Sequence, residues 1–145
     1  MLNPFFIVLI GLIGGAAVGL QSPLAGAISQ RLGGTAGSFF VHLSGTIFSS
    51  ALLLLRGGEN LRDWRTLPWY LFTVGLFGLV LYQTIAVTLP RLGSMTMITL
   101  IIIGQLLVGM LIDHFGWLGV AVHPISLNRV LGVLVLMLGG YLIAR

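Results

Sequence analysis

Thr35, Ser38, His42, Thr46 and Ser49 recur at spacings of three and four residues, which lines them along one face of a helix. The rest of that helix is leucine, phenylalanine and valine. A polar stripe on such a helix points at other protein or at a wet cavity, because polar groups facing lipid are costly. His42 is the one ionisable residue deep in any apolar stretch. Histidine changes charge near physiological pH, so it could relay or sense protons. It could equally be a neutral ring bonded to a neighbouring hydroxyl or carbonyl.

Other polar residues interrupt the apolar runs. Gln21 and Ser22 precede Pro23. Proline withholds a donor from the carbonyl four residues back, here Gly19. The first helix is therefore expected either to kink or unwind around Gly19 to Pro23 and line a cavity, or to end near Leu20 with Gln21 at the membrane surface. Gln105, beside Gly104, offers an amide that donates and accepts. Tyr82, Gln83 and Thr84 form a weaker cluster nearer a helix end. Asp113 follows an apolar run, where a carboxylate opposes the helix dipole. It is either a solvated loop acid or one half of an ion pair, with Arg56, Arg62, Arg65, Arg129 or His114 as partner. The candidate substrate contacts are Gln21, Ser22, Ser38, His42, Thr46, Tyr82 and Gln105, and Asp113 is a candidate gating or ion-pair residue.

Other chemistries lack their parts. No carboxylate lies deep in an apolar run, as a permanent-cation site would usually require. His114 and His123 have no clustered ligands around them, so no metal site is expected. There is no Gly-rich phosphate loop and no nucleophile-base pair. With only His42 at depth, haem ligation is also discounted. The chain is expected to be no enzyme and to carry no cofactor. It has no cysteine, hence no disulfide framework and no thiolate chemistry.

The elements that position these residues follow from composition. Of 145 residues, 57% are hydrophobic and 7% charged, against roughly 25% charged in a soluble domain. The mean hydropathy is +1.10. Such a chain belongs in a lipid bilayer. The net charge of +4 comes from arginines at segment ends, and no basic run with interleaved aromatics points to nucleic acid. Apolar runs of ~18 residues or more suit helices, which satisfy their own backbone in lipid. An all-α protein of five transmembrane helices is expected in one membrane domain, 1–145, at about 4–30, 35–55, 68–89, 94–112 and 127–144. Pro4 suits the first turn of helix one, Thr66 and Ser126 are candidate caps, and Pro90-Arg91-Leu92-Gly93 reads as a tight turn. Met1 to Pro4 carries no positive charge, so the first stretch reads as a retained helix rather than a cleaved signal. Trp64, Trp69, Tyr70, Trp117 and Tyr141 lie near helix ends, as an aromatic belt does.

Glycines permit close helix approach in lipid. Gly11, Gly15 and Gly19 share a face of helix one, and Gly75 and Gly78 lie in helix three. Gly132 and Gly139, with Gly140, mark a candidate dimer seam on helix five; packing within one bundle is the competing reading.

Charge sets orientation. The five-helix reading puts Arg56, Arg62, Arg65 and Arg129 on the side of the N-terminus and Arg31, Arg91 and Arg145 on the other. Arginine and lysine in short loops orient membrane proteins, and so even a division gives little instruction. The chain is expected to insert both ways up and to pair as an antiparallel homodimer, a ten-helix inverted-repeat arrangement of the kind secondary transporters use.

Two blocks carry a family resemblance. One is Gly19-Leu20-Gln21-Ser22-Pro23 through Arg31-Leu32-Gly33 to Phe40 and Gly45. The other runs from Pro90-Arg91-Leu92-Gly93 through Gly104-Gln105-Leu106 and Leu111-Ile112-Asp113-His114-Phe115-Gly116 to the segment Gly132 to Gly140. The sequence resembles the YdcZ family of the drug/metabolite transporter superfamily over nearly its whole length. The resemblance implies a multi-pass protein of the bacterial plasma (inner) membrane, built from a five-helix unit found as antiparallel homodimers, opposite-facing pairs or ten-helix fusions. It also implies a distant relation to small multidrug resistance exporters, whose helix-one glutamate is matched here only by Gln21. Export of hydrophobic cations by that route is not supported.

The expected function is secondary transport of small organic molecules by alternating access in an antiparallel dimer, with the bilayer as surroundings and the proton as a candidate coupling ion. A passive dimeric channel and a non-transporting membrane partner subunit are the alternatives.

Overall fold

The computed structural model describes residues 3–145, so the first two residues of the Met1–Pro4 stretch lie outside the described residues. Four α-helices, α1 (Pro4–Leu32), α2 (Gly34–Leu55), α3 (Val74–Phe115) and α4 (Leu127–Ala144), make up most of the described chain, with short 3-10 turns at Leu61–Thr66, Trp69–Thr73 and Trp117–Gly119. The described residues contain no strand. Four stretches among them are long and apolar enough to cross a membrane, and the third, Trp69–Phe115, has 47 residues. At ~1.5 Å per residue a helix of that length would exceed twice the ~30 Å hydrocarbon core.

Gly93 divides it. Its backbone at φ 74°, ψ 167° leaves the helical region, a conformation that costs glycine little and an L-residue much. The break leaves a first arm, 74–92, and a second arm, 94–115, each about 30 Å long. The expected turn at Pro90 to Gly93 is thus narrower than the sequence suggests. Pro90 lies inside the helix, and only Gly93 leaves it.

The chain forms two compact units, one ending at Pro90 and the other running from Arg91 to Arg145. In the first, α1 and α2 form a helical hairpin around Gly33, whose φ of 93° makes the turn. Asn3 caps α1 by accepting from the Phe5 N–H at 3.0 Å, and Pro4 occupies the first helical turn as expected. The kink or early end expected near Pro23 is absent: α1 is helical from Pro4 to Leu32 with Pro23 inside it. The Ser22 hydroxyl donates to the Val18 carbonyl at 2.9 Å, one residue before the Gly19 carbonyl that Pro23 leaves without its backbone donor. Pro23 costs one backbone bond and leaves the rest of the helix in place.

The buried face of α1 consists of Ser22, Ala25, Gly26 and Ser29. These small residues let α2 and the first arm come close. A Cβ at Gly26 would strike the Leu89 side chain and one at Gly37 the Ser29 hydroxyl. Among the described residues nothing lies within 4 Å of a Cβ built at Gly11, Gly15 or Gly19.

The entry to the third span also differs from expectation. Leu67 and Pro68 are extended, a 3-10 turn covers Trp69–Thr73, and the α-helix begins only at Val74. A residue before proline is pushed toward extended backbone. Thr66 does not cap this helix: its hydroxyl donates to the Asp63 carbonyl at 2.7 Å. Around this entry the exposed Trp64 lies edge-on to Phe72 with Arg65 over its ring, as suits a headgroup layer.

In the second unit, Ser126 caps α4 by accepting from the Arg129 N–H at 3.4 Å. Gly140 is buried there, and a Cβ on it would sit 3.0 Å from both Ile103 and Thr99 of the second arm. Large apolar side chains such as Phe48, Leu55, Phe77, Val135 and Leu142 are exposed along the helices, while the buried hydrophobic residues are Ala25, Tyr82, Ile85 and Met97. Lipid tails are as apolar as leucine, so exposed leucine needs no cover in a bilayer.

Candidate functional site

The polar stripe of α2 meets the first arm. At one end the Gln83 amide donates to the Thr35 hydroxyl at 2.7 Å. Two turns further along α2, His42 Nδ1 lies 2.7 Å from the Ser38 carbonyl oxygen and 3.3 Å from its hydroxyl. A carbonyl only accepts, so Nδ1 carries the hydrogen and donates to it. In the tautomer with its hydrogen on Nδ1, the lone pair is on Nε2. The ring stands edge-on to Tyr82, with centroids 5.6 Å apart and planes at 87°. Nε2 is aimed at Gly78, where a Cβ would lie 2.5 Å away. Glycine at 78 makes room for the imidazole.

Ser38 and Tyr82 are buried, while His42 remains exposed at the open side of the seam. The Tyr82 hydroxyl has no hydrogen-bond partner among the described residues. Further along the stripe, the Thr46 and Ser49 hydroxyls donate to the carbonyls of His42 and Thr46 at 2.8 and 3.2 Å and stay exposed. The seam therefore gathers a ring nitrogen with a lone pair, a free phenol and an exposed hydroxyl face, all at helix depth.

Other expected contacts lie apart from this cluster. Gln21 and Gln105 are exposed and make no hydrogen bond among the described residues. Ser22 is buried and bonded to its own helix. Ser29, which the sequence reading passed over, is buried with no partner for its hydroxyl. Its spacing of four from Ala25 and seven from Ser22 was the available signal, since small residues at that interval mark a packing face.

The second unit holds a different feature. Leu106, Gly109, Met110 and Asp113 on the second arm face Arg129, Gly132, Val133 and Leu136 on α4 across a groove of about 500 Å³. One end is charged. Arg129 Nη1 donates to Asp113 Oδ2 at 3.2 Å and to the His123 carbonyl at 3.1 Å. The His123 N–H donates to the Asp113 carbonyl at 2.8 Å, and the Ile125 N–H to His114 Nδ1 at 3.2 Å. These bonds clasp the 116–126 segment onto the second arm. Asp113 is thus half of an ion pair, and of the five candidates its partner is Arg129. Among the expected seam glycines, Gly140 packs inside the chain, Gly132 lines the groove, and Gly139 has nothing beside it. No cluster of metal-binding side chains occurs among the described residues.

Comparison with curated proteins and with solved structures gave no match. A family model described as "Putative inner membrane exporter, YdcZ" matches residues 6–142.

Proposed function

The chain belongs to the YdcZ family of inner-membrane exporters, and on that footing we propose that it is a secondary transporter of small organic molecules working by alternating access as an antiparallel homodimer. It is a multi-pass protein of the inner membrane. The observation that carries the transporter reading is the Ser38–His42–Tyr82 seam, which holds uncommitted hydrogen-bonding groups at helix depth beside an exposed polar face. Groups of this kind within the membrane are costly and are kept where a substrate or ion path needs them. Substrate meets the exposed edge of the His42 ring, the Tyr82 hydroxyl and Thr46, while Gln21, apart from this cluster, is a separate candidate on α1. Ser38 holds the ring and Ser22 the helix. Gln105 is a separate candidate on the second arm, tested independently.

Exposed amides favour a partner. Gln21 and Gln105 would each face hydrocarbon in a lone protomer, and an unmatched polar group in lipid costs several kcal/mol, of order the amide transfer penalty. A second, inverted copy covers them and completes the path. The even arginine division supports two-way insertion, and α4 meets its twin on the side where Gly139 leaves space. The single carboxylate at the edge of the second arm, Asp113, acts as an ion-pair latch with Arg129.

Uptake into proteoliposomes tests this. A transporter saturates and shows counterflow, a pore does neither, and a partner subunit purified alone moves nothing. His42→Ala is expected to flatten the pH dependence of uptake, and an unaltered profile returns the ring to a packing role. A cysteine added after Arg145 should label from both sides of intact cells. Labelling from one side alone would sink the inverted homodimer.

A further inference from the structure

The groove between the second arm and α4 is graded along its length. Asp113 and Arg129 stand at one end and Leu106 and Leu136 at the other. Each wall spans seven residues from charged to apolar end, about 10 Å of helix. Gly109 and Gly132 recess the walls between, with nothing within 4 Å of either missing Cβ. A volume of about 500 Å³ falls among those of small-molecule sites, ~300–1,000 Å³. The charged end lies where the second arm finishes, at the membrane surface, so polarity falls along the groove in the same direction as it falls along a lipid.

The ion pair has unused capacity. Arg129 Nη1 serves Asp113 Oδ2 and the His123 carbonyl. Arg129 Nη2 and Nε, and Asp113 Oδ1, have no partner among the described residues. The end therefore presents both N–H donors for an anion and a carboxylate oxygen for an N–H cation. Both side chains remain about a third exposed, at 39% and 34%. A guanidinium matches phosphate geometry, and a carboxylate accepts from ammonium.

We propose that this groove binds a membrane phospholipid whose head group carries both a phosphate and a primary ammonium. The phosphate lies on Arg129, the ammonium donates to Asp113, and one acyl chain fills the trough toward Leu106 and Leu136. A quaternary ammonium satisfies the charge of Asp113 but donates no hydrogen bond. A purely anionic head satisfies Arg129 and is repelled by Asp113. The order of retention is therefore ethanolamine, then choline, then glycerol heads.

Full-length protein in detergent is incubated with phosphatidylethanolamine, phosphatidylcholine or phosphatidylglycerol of identical chains, and retained lipid per protomer is counted by native mass spectrometry. The wild type is expected to hold about one ethanolamine lipid per protomer, at least threefold more than choline lipid. Asp113→Asn should bring ethanolamine down to the choline level. Leu136→Trp, which fills the trough without touching the ion pair, should lower all three lipids at least threefold, while Leu142→Trp at an exposed site should not. Equal retention of ethanolamine and choline lipids by the wild type overturns the proposal. So does a preference that survives Asp113→Asn, or retention unchanged by Leu136→Trp. Should Leu136→Cys cross-link two copies in full yield with lipid retention intact, the groove belongs to a second copy and the proposal falls.

Discussion

The polar seam of the first unit and the groove of the second use small and polar residues in opposite ways. Up to Pro90, glycine and serine bring helices together: Gly26 lies under Leu89, Gly37 against Ser29 and Gly78 against His42. That approach buries Ser38 of the polar stripe and leaves His42, Thr46 and Ser49 exposed. From Arg91 onward, Gly109 and Gly132 face open space and hold the helices' flanks back from a groove. The polar groups there collect at one end as an ion pair. Glycine content alone therefore does not say whether a membrane helix is packed or hollowed. What decides is whether the facing residue is large enough to fill the place of the absent side chain.

Substitutions at the glycines sharpen this contrast most. Gly78→Leu should have the largest effect, because the new side chain meets the imidazole where no room exists. Overpacking of this kind costs about 1–3 kcal/mol. The expected readout is a lower thermal midpoint in detergent together with loss of uptake. Gln83→Leu removes the bond to Thr35 and should cost about 0.5–1.5 kcal/mol, the range of interhelical polar bonds in membranes. In a double-mutant cycle it should couple to Thr35→Val, and the absence of coupling would show the bond contributes nothing.

In the second unit the effects shrink. Asp113→Ala and Arg129→Ala should couple by about 0–1 kcal/mol, because the pair is partly exposed and screened. A coupling well above that would mean the ion pair sits in a drier place than its exposure indicates. Gly132→Ala should change stability by no more than about 0.5 kcal/mol, since a Cβ there meets nothing. If Gly132→Ala proved as damaging as Gly78→Leu, the division between packed and hollowed glycines would fail.

Much of the fold could be read in advance because its signals are long. Apolar runs of membrane length specify helices with little ambiguity, and Ser126 caps α4 as its side chain suggests. What escaped the sequence was set by contacts distant along the chain. The stripe Gly11, Gly15 and Gly19 has the spacing of a packing face and meets nothing among the described residues, while Ser22, a candidate substrate contact by sequence, lies with Ala25, Gly26 and Ser29 on the face that packs. Both have helical spacing, and only the neighbours tell them apart. Pro23 suggested a break because its local cost is plain, whereas the packing of Ser22, Ala25 and Gly26 beside it involves residues far along the chain, such as Leu89. His42 and Ser38 were legible as a pair by their spacing of four. Tyr82 is a weaker candidate contact by sequence because it stands late in a helix expected to start at Pro68. The later α-helical start, at Val74, moves it inward.

The backbone of Gly93 has a consequence for the length of each helix beside it. Without the break, the stretch from Trp69 to Phe115 would be one rod far too long for a single leaflet pair, and the natural way to shed the excess is to push half of it into water. A single residue lacking a side chain thus makes two helices of membrane length out of one apolar run too long to be one.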